Sequence, residues 1–556
     1  MKNLISDLMK NPWLDLKQEI AKQLEVSIDE IEEPEKFGDF AYPCFNLAKK
    51  QKQNPNEIAK ELAKKLKIDF IEKTEATGAY VNFYVNWKKL GQELFKNINE
   101  KYGSYNEKET VIMDVFQPNP FKPFHIGHIR NAILGESIRR ILEFCGKKTI
   151  AVSYMGDVGT HVAKWLWYFN KFYKGEIPKE NVSKWAGEVY AESTRKVEEK
   201  EEYEEEVKEV NKKLDERNPE IIKTWKKIRE LCLKDFWKIK EELDVHLDDN
   251  FYESEVEGPG RKIVQQLIKE KKAEVSEGAI VVNLEKYGLG TFLLLKSDGT
   301  ALYSTKDLGL AELKRKRHKF EKSIFIVAAE QELYFKQLFK AMELFKIPGW
   351  DKSVHVSYGL VILKEGKMSS RYGTVILYED LRDEMIKKVS EILKDSKLDK
   401  KEDIIKKVAF AAIKFPMLDI ENKKTITFDW EQALDFEGKS GPYLQYTYVR
   451  ALNILKKAKI KKYDASLLKE DIEIRLIKKL ACFPNIVKNA ANQYSPNILA
   501  NYLFELSQDF NSFYQSFPVL KTEEHLKNAR LKLVDAVKTV LSNGLYLLGI
   551  AVLEKM

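Results

Sequence analysis

The sequence predicts an α/β chain in which a parallel-sheet domain with helical insertions lies between a small N-terminal α+β domain and an all-α C-terminal domain. Three observations support this. The chain has 556 residues, of which 44% are hydrophobic and 32% charged, as is typical of several globular domains rather than of a disordered or fibrous protein. A strand–helix–strand pattern begins near residue 110. Helical periodicity without long strands dominates after residue 378.

The first predicted domain, residues 1–107, combines helices with a strand. An amphipathic helix is expected near Leu14–Leu24. A second helix is expected over Asn56–Leu66, because the preceding Asn54-Pro55 pair favours a helix start. The alternating run Ala79–Val85 indicates a strand.

The second predicted domain, residues 108–378, contains the parallel sheet. Residues 111–116 and 149–154 are strand-like, and the helix expected between them over Gly127–Cys145 ends at Gly146. Such a βαβ unit is typical of a Rossmann-like sheet. We expect the same sheet to continue through the strand-like runs at residues 279–284, 291–296, 323–329 and 354–363.

A charge-dense stretch at about residues 165–260 interrupts the sheet domain. Alternating charges of this kind predict one or two long solvated helices inserted into the domain. From residue 379 to residue 556 nearly every window has helical periodicity, which predicts a separate all-α domain.

Charge and cysteine content restrict the class of protein. Lys and Arg number 94 against 86 Asp and Glu, a net charge of +8 that permits a nucleic-acid partner without requiring one. The four cysteines are too far apart for CxxC metal pairs and too few for a disulfide framework, so we expect a reducing compartment and no structural metal. The sequence has neither a signal-peptide pattern nor an apolar window of ~18 residues, which predicts a cytoplasmic protein without a membrane partner.

Two histidines lie at the junction between the first strand and the first helix of the sheet domain. His125, Gly127 and His128 belong to the tetrapeptide HIGH, at the carboxyl end of a strand, where open α/β sheets bind ligands. Two imidazoles and the backbone N–H groups of a helix N-terminus form a cradle for a nucleotide phosphate, and Gly127 leaves room for a base or ribose. The motif predicts phosphate binding rather than a metal site.

A second motif, KEGKMSSRYG at residues 364–373, follows the last strand-like run. Its basic side chains, flanked by glycines, are suited to closing over a triphosphate and stabilising the departing pyrophosphate. HIGH and KMSS on one sheet domain resemble the signature of class I aminoacyl-tRNA synthetases. The resemblance implies ATP as a substrate, accompanied by Mg²⁺, and assigns ATP binding to His125, Gly127, His128, Lys367, Met368, Ser369 and Ser370.

Further segments resemble the arginyl-tRNA synthetases within that class. They are the block Asp114–His125 and the blocks at residues 156–160, 297–309 and 436–446. With matches near both ends, the resemblance covers nearly the whole chain. It implies an arginine–tRNA ligase whose sheet domain is catalytic, whose N-terminal domain contacts tRNA and whose helical domain, residues 379–556, binds the anticodon.

The resemblance also implies an arginine site. Tyr303 and Asp307, one helical turn apart, are assigned to the guanidinium end, a planar fork of donors that requires carboxylate and other acceptors. Asp114 and Asn119 are assigned to the α-amino and carboxylate ends, and Gln331 to the same pocket. From the residues alone, Asp307 is also compatible with a helix N-cap.

The implied reaction has two steps, in which the arginine carboxylate attacks the ATP α-phosphate and a hydroxyl of the terminal adenosine of tRNA(Arg) then takes the arginyl group. Positioned cations and donors suffice for the first step, and His125, His128, Lys122 and Lys367 are expected to supply them. A monomer is expected. The tRNA is expected to contact Tyr80 and Asn82 in the N-terminal domain and Tyr443, Tyr446, Tyr514 and Met556 in the helical domain.

Several alternatives stay open at this point. Ser370 stands where the family's KMSK pattern has a second Lys, so either Lys122 or Arg371 supplies the missing charge. Tyr80 and Asn82 are equally compatible with an ordinary strand. An inactive synthetase-like tRNA-binding protein is the main alternative function, although it would be free to lose HIGH and the acidic pocket. A second alternative function is a class I synthetase for cysteine or lysine. It is disfavoured because Asp307 with Tyr303 suits a cation of guanidinium shape.

Overall fold

The computed structural model describes residues 11–34, 36–364, 376–397 and 399–556. Its N-terminal part is a three-stranded antiparallel sheet packed against helices, and both predicted helices are confirmed. Each begins with an Asn cap followed by Pro, a favourable helix start. The elements are α1 (Pro12–Leu24), β1 (Phe40–Pro43), α2 (Phe45–Gln51), α3 (Pro55–Lys65), β2 (Ile71–Thr77), β3 (Tyr80–Val85) and α4 (Trp87–Asn97), with the strands in the order β1-β3-β2.

The sheet domain follows. Its predicted βαβ unit is confirmed as β4 (Thr110–Phe116), α5 (Ile126–Phe144) and β5 (Lys148–Met155). The next elements are α6 (Thr160–Lys171), α7 (Val182–Val197), α8 (Glu201–Asp215), α9 (Pro219–Glu242), β6 (Asp249–Tyr252), α10 (Glu253–Lys269), β7 (Glu274–Ser276), β8 (Ala279–Asn283), β9 (Thr291–Leu295), α11 (Tyr303–Arg317), β10 (Lys322–Ala328), α12 (Glu332–Leu344), β11 (Ser353–Tyr358) and β12 (Val361–Leu363).

Five of these strands form one parallel sheet in the order β11-β10-β4-β5-β6. The chain starts at the central strand β4, adds β5 and β6 on one side, and later adds β10 and β11 on the other. The direction of growth therefore reverses between β4 and β10, and open α/β sheets bind ligands at such a point. Consecutive residues of β4 are buried, as expected for a strand covered by helices on both faces.

Two of the strand-like runs do not join this sheet, and of the run at residues 354–363 only β11 joins it, because β12 lies in a separate two-stranded sheet. β8 and β9 pair with β7 in a separate three-stranded antiparallel sheet, so the prediction that they continue the parallel sheet is wrong. The reason is visible in β9, which buries Phe292 and Leu294 but exposes Leu293 between them. That alternation belongs to a strand with one solvated face.

The charge-dense stretch also differs from its prediction. It forms four helices, α6 to α9, rather than one or two, and residues 165–260 additionally contain β6 and the start of α10. The helices are not merely solvated, because they enclose a core of their own that includes Trp165, Trp225 and Ile228. In the most charged helix, α8, the few apolar residues Val207 and Leu214 are the buried ones, which is how an amphipathic helix attaches to a core.

The C-terminal part is helical, as predicted, apart from one short strand. That strand, β13 (Ile426–Phe428), pairs in parallel with β12, so the helical part shares a two-stranded sheet with the sheet domain. The domain boundaries stay predictions. Within the described ranges no helix has the length and apolarity needed to cross a membrane. The helices are α13 (Tyr378–Ile392), α14 (Lys401–Leu418), α15 (Trp430–Ala433), α16 (Gly441–Lys456), α17 (Asp471–Gln493), α18 (Pro496–Ser516) and α19 (Glu524–Leu547).

Candidate active site and nucleic-acid interface

A cavity of about 770 Å³, here called the central pocket, opens at the carboxyl ends of the parallel strands. All five strands contribute a residue at or shortly after that end, which is where such sheets bind ligands. The contributing residues are Asp114 and Asn119 for β4, Tyr154 and Gly156 for β5, Glu253 for β6, Gln331 for β10 and Gly359 for β11.

The two histidines of HIGH line the central pocket at the N-terminus of α5. Their rings are stacked, with centroids 3.8 Å apart. His125 Nδ1 accepts a hydrogen bond from the Gly127 N–H (3.1 Å), and His128 Nδ1 accepts one from the His125 N–H (3.3 Å). The sequence had suggested that backbone N–H groups here bind a phosphate. These two N–H groups are already hydrogen-bonded to the histidine rings and are therefore not free to do so. A Cβ at Gly127 would lie 3.0 Å from the His125 ring, so the glycine is required by histidine packing.

The histidine rings are neutral donors. Burial lowers the pKa of His125 to about 4, and it lowers the pKa of His128 well below its usual value. Because Nδ1 of each neutral ring is an acceptor, the ring proton is on Nε2. The pair therefore offers two N–H groups to an anion without placing two positive charges side by side.

Lys122 reaches the central pocket from the turn between β4 and α5. The preceding residue, Phe121, has a left-handed backbone with φ of 71°, and its ring is buried against Trp165, with centroids 5.3 Å apart. A non-glycine residue in this conformation costs about 1–3 kcal/mol, so the core of the inserted helices holds the turn. The Lys122 ammonium lies 5.4 Å from the centroid of the Tyr190 ring, and burial lowers its pKa.

Asp307 lies in the buried end of the central pocket. It is not a helix N-cap, because α11 begins at Tyr303 after Leu302. Its carboxylate accepts a hydrogen bond from the Tyr334 hydroxyl. Burial nevertheless raises the pKa of Asp307 to about 7. The predicted partner Tyr303 also lines the pocket, with 64% of the residue exposed.

Asp114 forms a buried ion pair with Lys314, with Oδ2 and Nζ 2.7 Å apart. Burial raises the pKa of Asp114, and the opposing effect of Lys314 is smaller. Asp114 Oδ1 has no hydrogen-bond partner among the described residues, and neither has the buried hydroxyl of Tyr154. Buried polar atoms are rarely left unpaired. These two oxygens are therefore candidate acceptors for a ligand.

Other predicted residues also line the central pocket. Asn119 Oδ1 accepts a hydrogen bond from the Gly156 N–H (2.9 Å), which leaves the amide nitrogen of Asn119 as a donor. Gln331 lies in a short turn after β10. The structure thus brings all five predicted arginine-binding residues, Asp114, Asn119, Tyr303, Asp307 and Gln331, to one cavity.

The sequence did not point to several lining residues, among them Tyr154, Glu253 and Tyr334, or to the buried Lys314. Tyr154 and Glu253 lie at the carboxyl ends of β5 and β6, so the strand-end rule points to them once the strands are known. Glu253 pairs with Lys306 at 2.7 Å. Tyr334 and Lys314 lie inside helices, where no local pattern separates them from ordinary helix residues.

Lys367, Met368, Ser369 and Ser370 lie outside the described residues, as does Arg371, so the roles predicted for them stay predictions. The described chain leads to this segment through Tyr358, Gly359, Leu360 and Val361, which form one wall of the central pocket. In the ranges that the structure describes, no three His, Cys, Asp or Glu side chains are arranged to hold a metal ion.

A second cavity, of about 520 Å³ and here called the bundle pocket, lies in the helical part. Tyr446, Tyr514 and Met556 line it, as predicted, together with Arg450. The Arg450 guanidinium lies 4.7 Å from the Tyr446 ring centroid and 5.0 Å from that of Tyr514. Both rings remain partly exposed, at 38% and 43%. Two aromatic rings beside a cation form a suitable surface for stacking unpaired bases.

Tyr443 does not belong to this surface. It is only 7% exposed, packs against Phe504 and accepts a hydrogen bond from Asn511 through its hydroxyl. The prediction that Tyr443 presents a stacking face is therefore wrong for this conformation. Tyr446 lies one helical turn further along α16 on a similar face, but α18 covers Tyr443 through Phe504 and Asn511.

In the N-terminal part, Tyr80 and Asn82 lie two residues apart on β3, hence on one face of the strand. Tyr80 is partly exposed and packs edge-on against Phe45. Asn82 is buried, and its Nδ2 has no hydrogen-bond partner among the described residues. Their role in reading a tRNA base stays a prediction.

Comparisons with known proteins assign this arrangement to a family. The model of the class I (R) tRNA synthetase catalytic domain matches residues 92–430, the model of the arginyl tRNA synthetase N-terminal domain matches residues 7–85, and the model of the DALR anticodon binding domain matches residues 444–556. The arginine–tRNA ligase of Clostridium acetobutylicum is 34% identical over 98% of this chain and 100% of its own length. The chain belongs to the arginyl-tRNA synthetase family.

Other members of the family extend the match. The arginine–tRNA ligase of Halothermothrix orenii is 35% identical over 100% of this chain and 99% of its own length. The solved arginyl-tRNA synthetase of Thermus thermophilus has a TM-score of 0.82 at 26% identity, covering 98% of this chain and 99% of that one. The arginyl-tRNA synthetase catalytic model spans the whole central pocket, and the DALR model spans Tyr446, Tyr514 and Met556.

Proposed function

We propose that this chain ligates arginine to tRNA(Arg) at the central pocket and consumes ATP in doing so. The observation that carries the proposal is the acidic buried end of the pocket, where Asp307 lies with two buried oxygens, Asp114 Oδ1 and the Tyr154 hydroxyl, that have no hydrogen-bond partner among the described residues. A planar cation with several N–H donors fits such a set of acceptors. Relatives that match the full chain carry the name arginine–tRNA ligase, which supports the same substrate.

Arginine lies along the pocket with its guanidinium on Asp307 and with Tyr303 covering it from the rim. Its α-amino group faces Asp114 Oδ1, because Oδ2 is already bound by Lys314. Its carboxylate faces the free amide nitrogen of Asn119, on the side of the pocket that HIGH occupies. Gln331 completes this arginine-binding site, here called the arginine seat.

ATP occupies the side of the central pocket formed by the N-terminus of α5. The Nε2–H groups of His125 and His128 donate to phosphate oxygens, and the helix N-terminus and Lys122 add positive potential. Mg²⁺ bound with the nucleotide would neutralise part of the phosphate charge. The arginine carboxylate attacks the α-phosphorus, a carbon–oxygen–phosphorus linkage forms, and the bond to pyrophosphate breaks. Lys367 and the Lys122 ammonium neutralise the leaving group.

Transfer to tRNA follows in the same pocket. The 2′-hydroxyl of the terminal adenosine attacks the carbonyl carbon, loses its proton, and AMP leaves as the carbon–oxygen bond to the phosphate breaks. The bundle pocket stacks anticodon bases on Tyr446 and Tyr514, and Tyr80 with Asn82 contacts a base near the elbow of the tRNA. A cytoplasmic monomer remains part of this proposal.

Exchange of labelled pyrophosphate into ATP tests the proposal, with and without tRNA(Arg), across the twenty amino acids. Arginine alone should support exchange. Citrulline is the matched control, since it keeps the shape of arginine and lacks the charge, and it should be inert. Exchange with lysine or cysteine instead would overturn the arginine seat. Tight tRNA binding without exchange for any amino acid would favour the inactive tRNA-binding protein.

A further inference from the structure

Arg130 lies two residues after HIGH on α5 and is 1% exposed. Its guanidinium donates hydrogen bonds to four backbone carbonyls, those of Gly359, Leu360, Asn422 and Lys424. Among the described residues it forms no ion pair with a carboxylate. A buried cation without an anion is costly. These carbonyls, together with the Tyr358 ring whose centroid lies 5.9 Å from the guanidinium, offset that cost.

The four carbonyls come from two separate parts of the chain. Gly359 and Leu360 belong to the wall of the central pocket that faces the N-terminus of α5. Asn422 and Lys424 belong to the turn 421–424, in the helical part just before β13. The wall and the turn also bond directly, since the Gly359 N–H donates to the Asn422 carbonyl (2.9 Å). A Cβ at Gly359 would lie 2.6 Å from the Lys424 carbonyl oxygen, so only glycine permits this approach.

The turn 421–424 has further anchors in the molecule. The Asn422 side chain donates to the Tyr494 carbonyl at the end of α17 (2.8 Å). Lys423 pairs with Glu332 at the start of α12 (2.7 Å). The turn therefore touches the helical bundle, the pocket wall and the sheet domain, and Arg130 lies at their meeting point.

We propose that Arg130 is a positioning residue for ATP: it fixes the pocket wall 358–361 against α5 and ties that wall to the helical part through the turn 421–424. The proposal rests on the proposed function, because it assumes that ATP occupies the HIGH side of the central pocket. The proposed arginine seat is built instead on α11, on β4 with the turn after it, and on the turn after β10, so loosening the wall affects ATP and leaves arginine binding intact.

The test is Arg130→Lys in the full chain. Lysine keeps the charge but presents three donors at one point, whereas the guanidinium spreads five donors over a planar fork. Pyrophosphate exchange is measured with ATP and arginine varied separately, in the presence of tRNA. We expect kcat/KM for ATP to fall about 30-fold or more, and KM for arginine to stay within about twofold of wild type.

Arg139→Lys is the matched control. Arg139 lies on the same helix and is 7% exposed, but its partners are Glu136 and Glu143 of α5 itself. The Arg139→Lys variant should keep kcat/KM for ATP within about twofold of wild type. An equal fall in both variants would show general loosening of α5 and overturn the proposal. A rise in KM for arginine equal to that for ATP would overturn it too.

Asn422→Ala provides an independent test that does not remove a buried charge. It keeps the carbonyl that Arg130 binds and removes the bond to Tyr494. We expect KM for ATP to rise about threefold to tenfold while tRNA affinity is unchanged. An unchanged KM for ATP would refute the link to the helical part. Should wild type itself show no arginine-dependent exchange, the proposed function would fail first.

Discussion

The central pocket and the bundle pocket are lined by different kinds of side chain. In the central pocket the decisive groups are ionisable and buried or partly buried, namely Asp307, Asp114 with Lys314, and Glu253 with Lys306. In the bundle pocket the decisive groups are half-exposed aromatic rings beside one guanidinium. The first arrangement is suited to selecting one small charged substrate, and the second to stacking bases, as the proposed function requires.

This difference sets how sensitive each pocket is to substitution. A buried charge that loses its partner costs about 3–5 kcal/mol. A stacked base contributes about 1–3 kcal/mol and tolerates other bases. Single substitutions should therefore be severe in the central pocket and graded in the bundle pocket.

Asp307→Asn is expected to have the largest effect. It keeps the shape but removes the charge that the guanidinium meets, so kcat/KM for arginine should fall at least about 100-fold, with KM for ATP unchanged. Steady-state pyrophosphate exchange gives both constants. Glu312→Gln, an exposed position on the same helix, is the control. Retention of arginine affinity in Asp307→Asn would remove Asp307 from the guanidinium seat.

Lys314→Met should have the next largest effect. Without Lys314 the pKa of Asp114, already raised by burial, rises further, and the carboxyl becomes neutral. We expect kcat/KM for arginine to fall about 10- to 100-fold and stability to fall about 3–5 kcal/mol. Adding Asp114→Asn should restore the melting temperature without restoring activity, whereas Lys316→Met on the exposed face should change neither. A fully active Lys314→Met would show that Asp114 does not act as an anion.

The effect of pH on KM for arginine should be smaller than that of Lys314→Met and larger than that of the tyrosine substitutions below. The pKa of Asp307 is about 7 in the empty pocket, and arginine requires the ionised form, so KM for arginine should rise about tenfold per pH unit below 7. Because this pKa is raised on folding, the stability that Asp307 contributes at low pH is lost as pH rises through about 7. Asp307→Asn should therefore melt at a higher temperature than wild type at pH 8, by a margin that shrinks towards pH 4. A KM for arginine that stays constant from pH 5.5 to 8 would contradict this prediction.

Tyr446→Ala and Tyr514→Ala should have the smallest effects. Arg450 already lies against both rings, so each ring should contribute about 1 kcal/mol, and KM for tRNA should rise about fivefold with kcat unchanged. Tyr446→Phe keeps the stacking face and is the control. A loss of kcat in aminoacylation would show that the bundle pocket takes part in more than binding.

The strands and helices that position the pocket were predictable because their signals are local. Asn54 and Pro55 start α3, and Gly146 ends the helix of HIGH. The sheet to which β8 and β9 belong was not predictable, because pairing partners are distant in the chain. The folded core within residues 165–260 was also missed, since a few apolar residues in each charged helix become a core only when four helices meet.

The sequence by itself determined the family, the βαβ start of the sheet and the five predicted arginine-binding residues that line the central pocket. Motifs at fixed spacing carry that information. Only the tertiary structure decided the charges and contacts inside the pocket: the neutral histidines with Nε2–H donors, the raised pKa of Asp307, the Asp114–Lys314 pair and the burial of Tyr443. Burial and the approach of groups hundreds of residues apart set these properties, and neither is a function of local sequence.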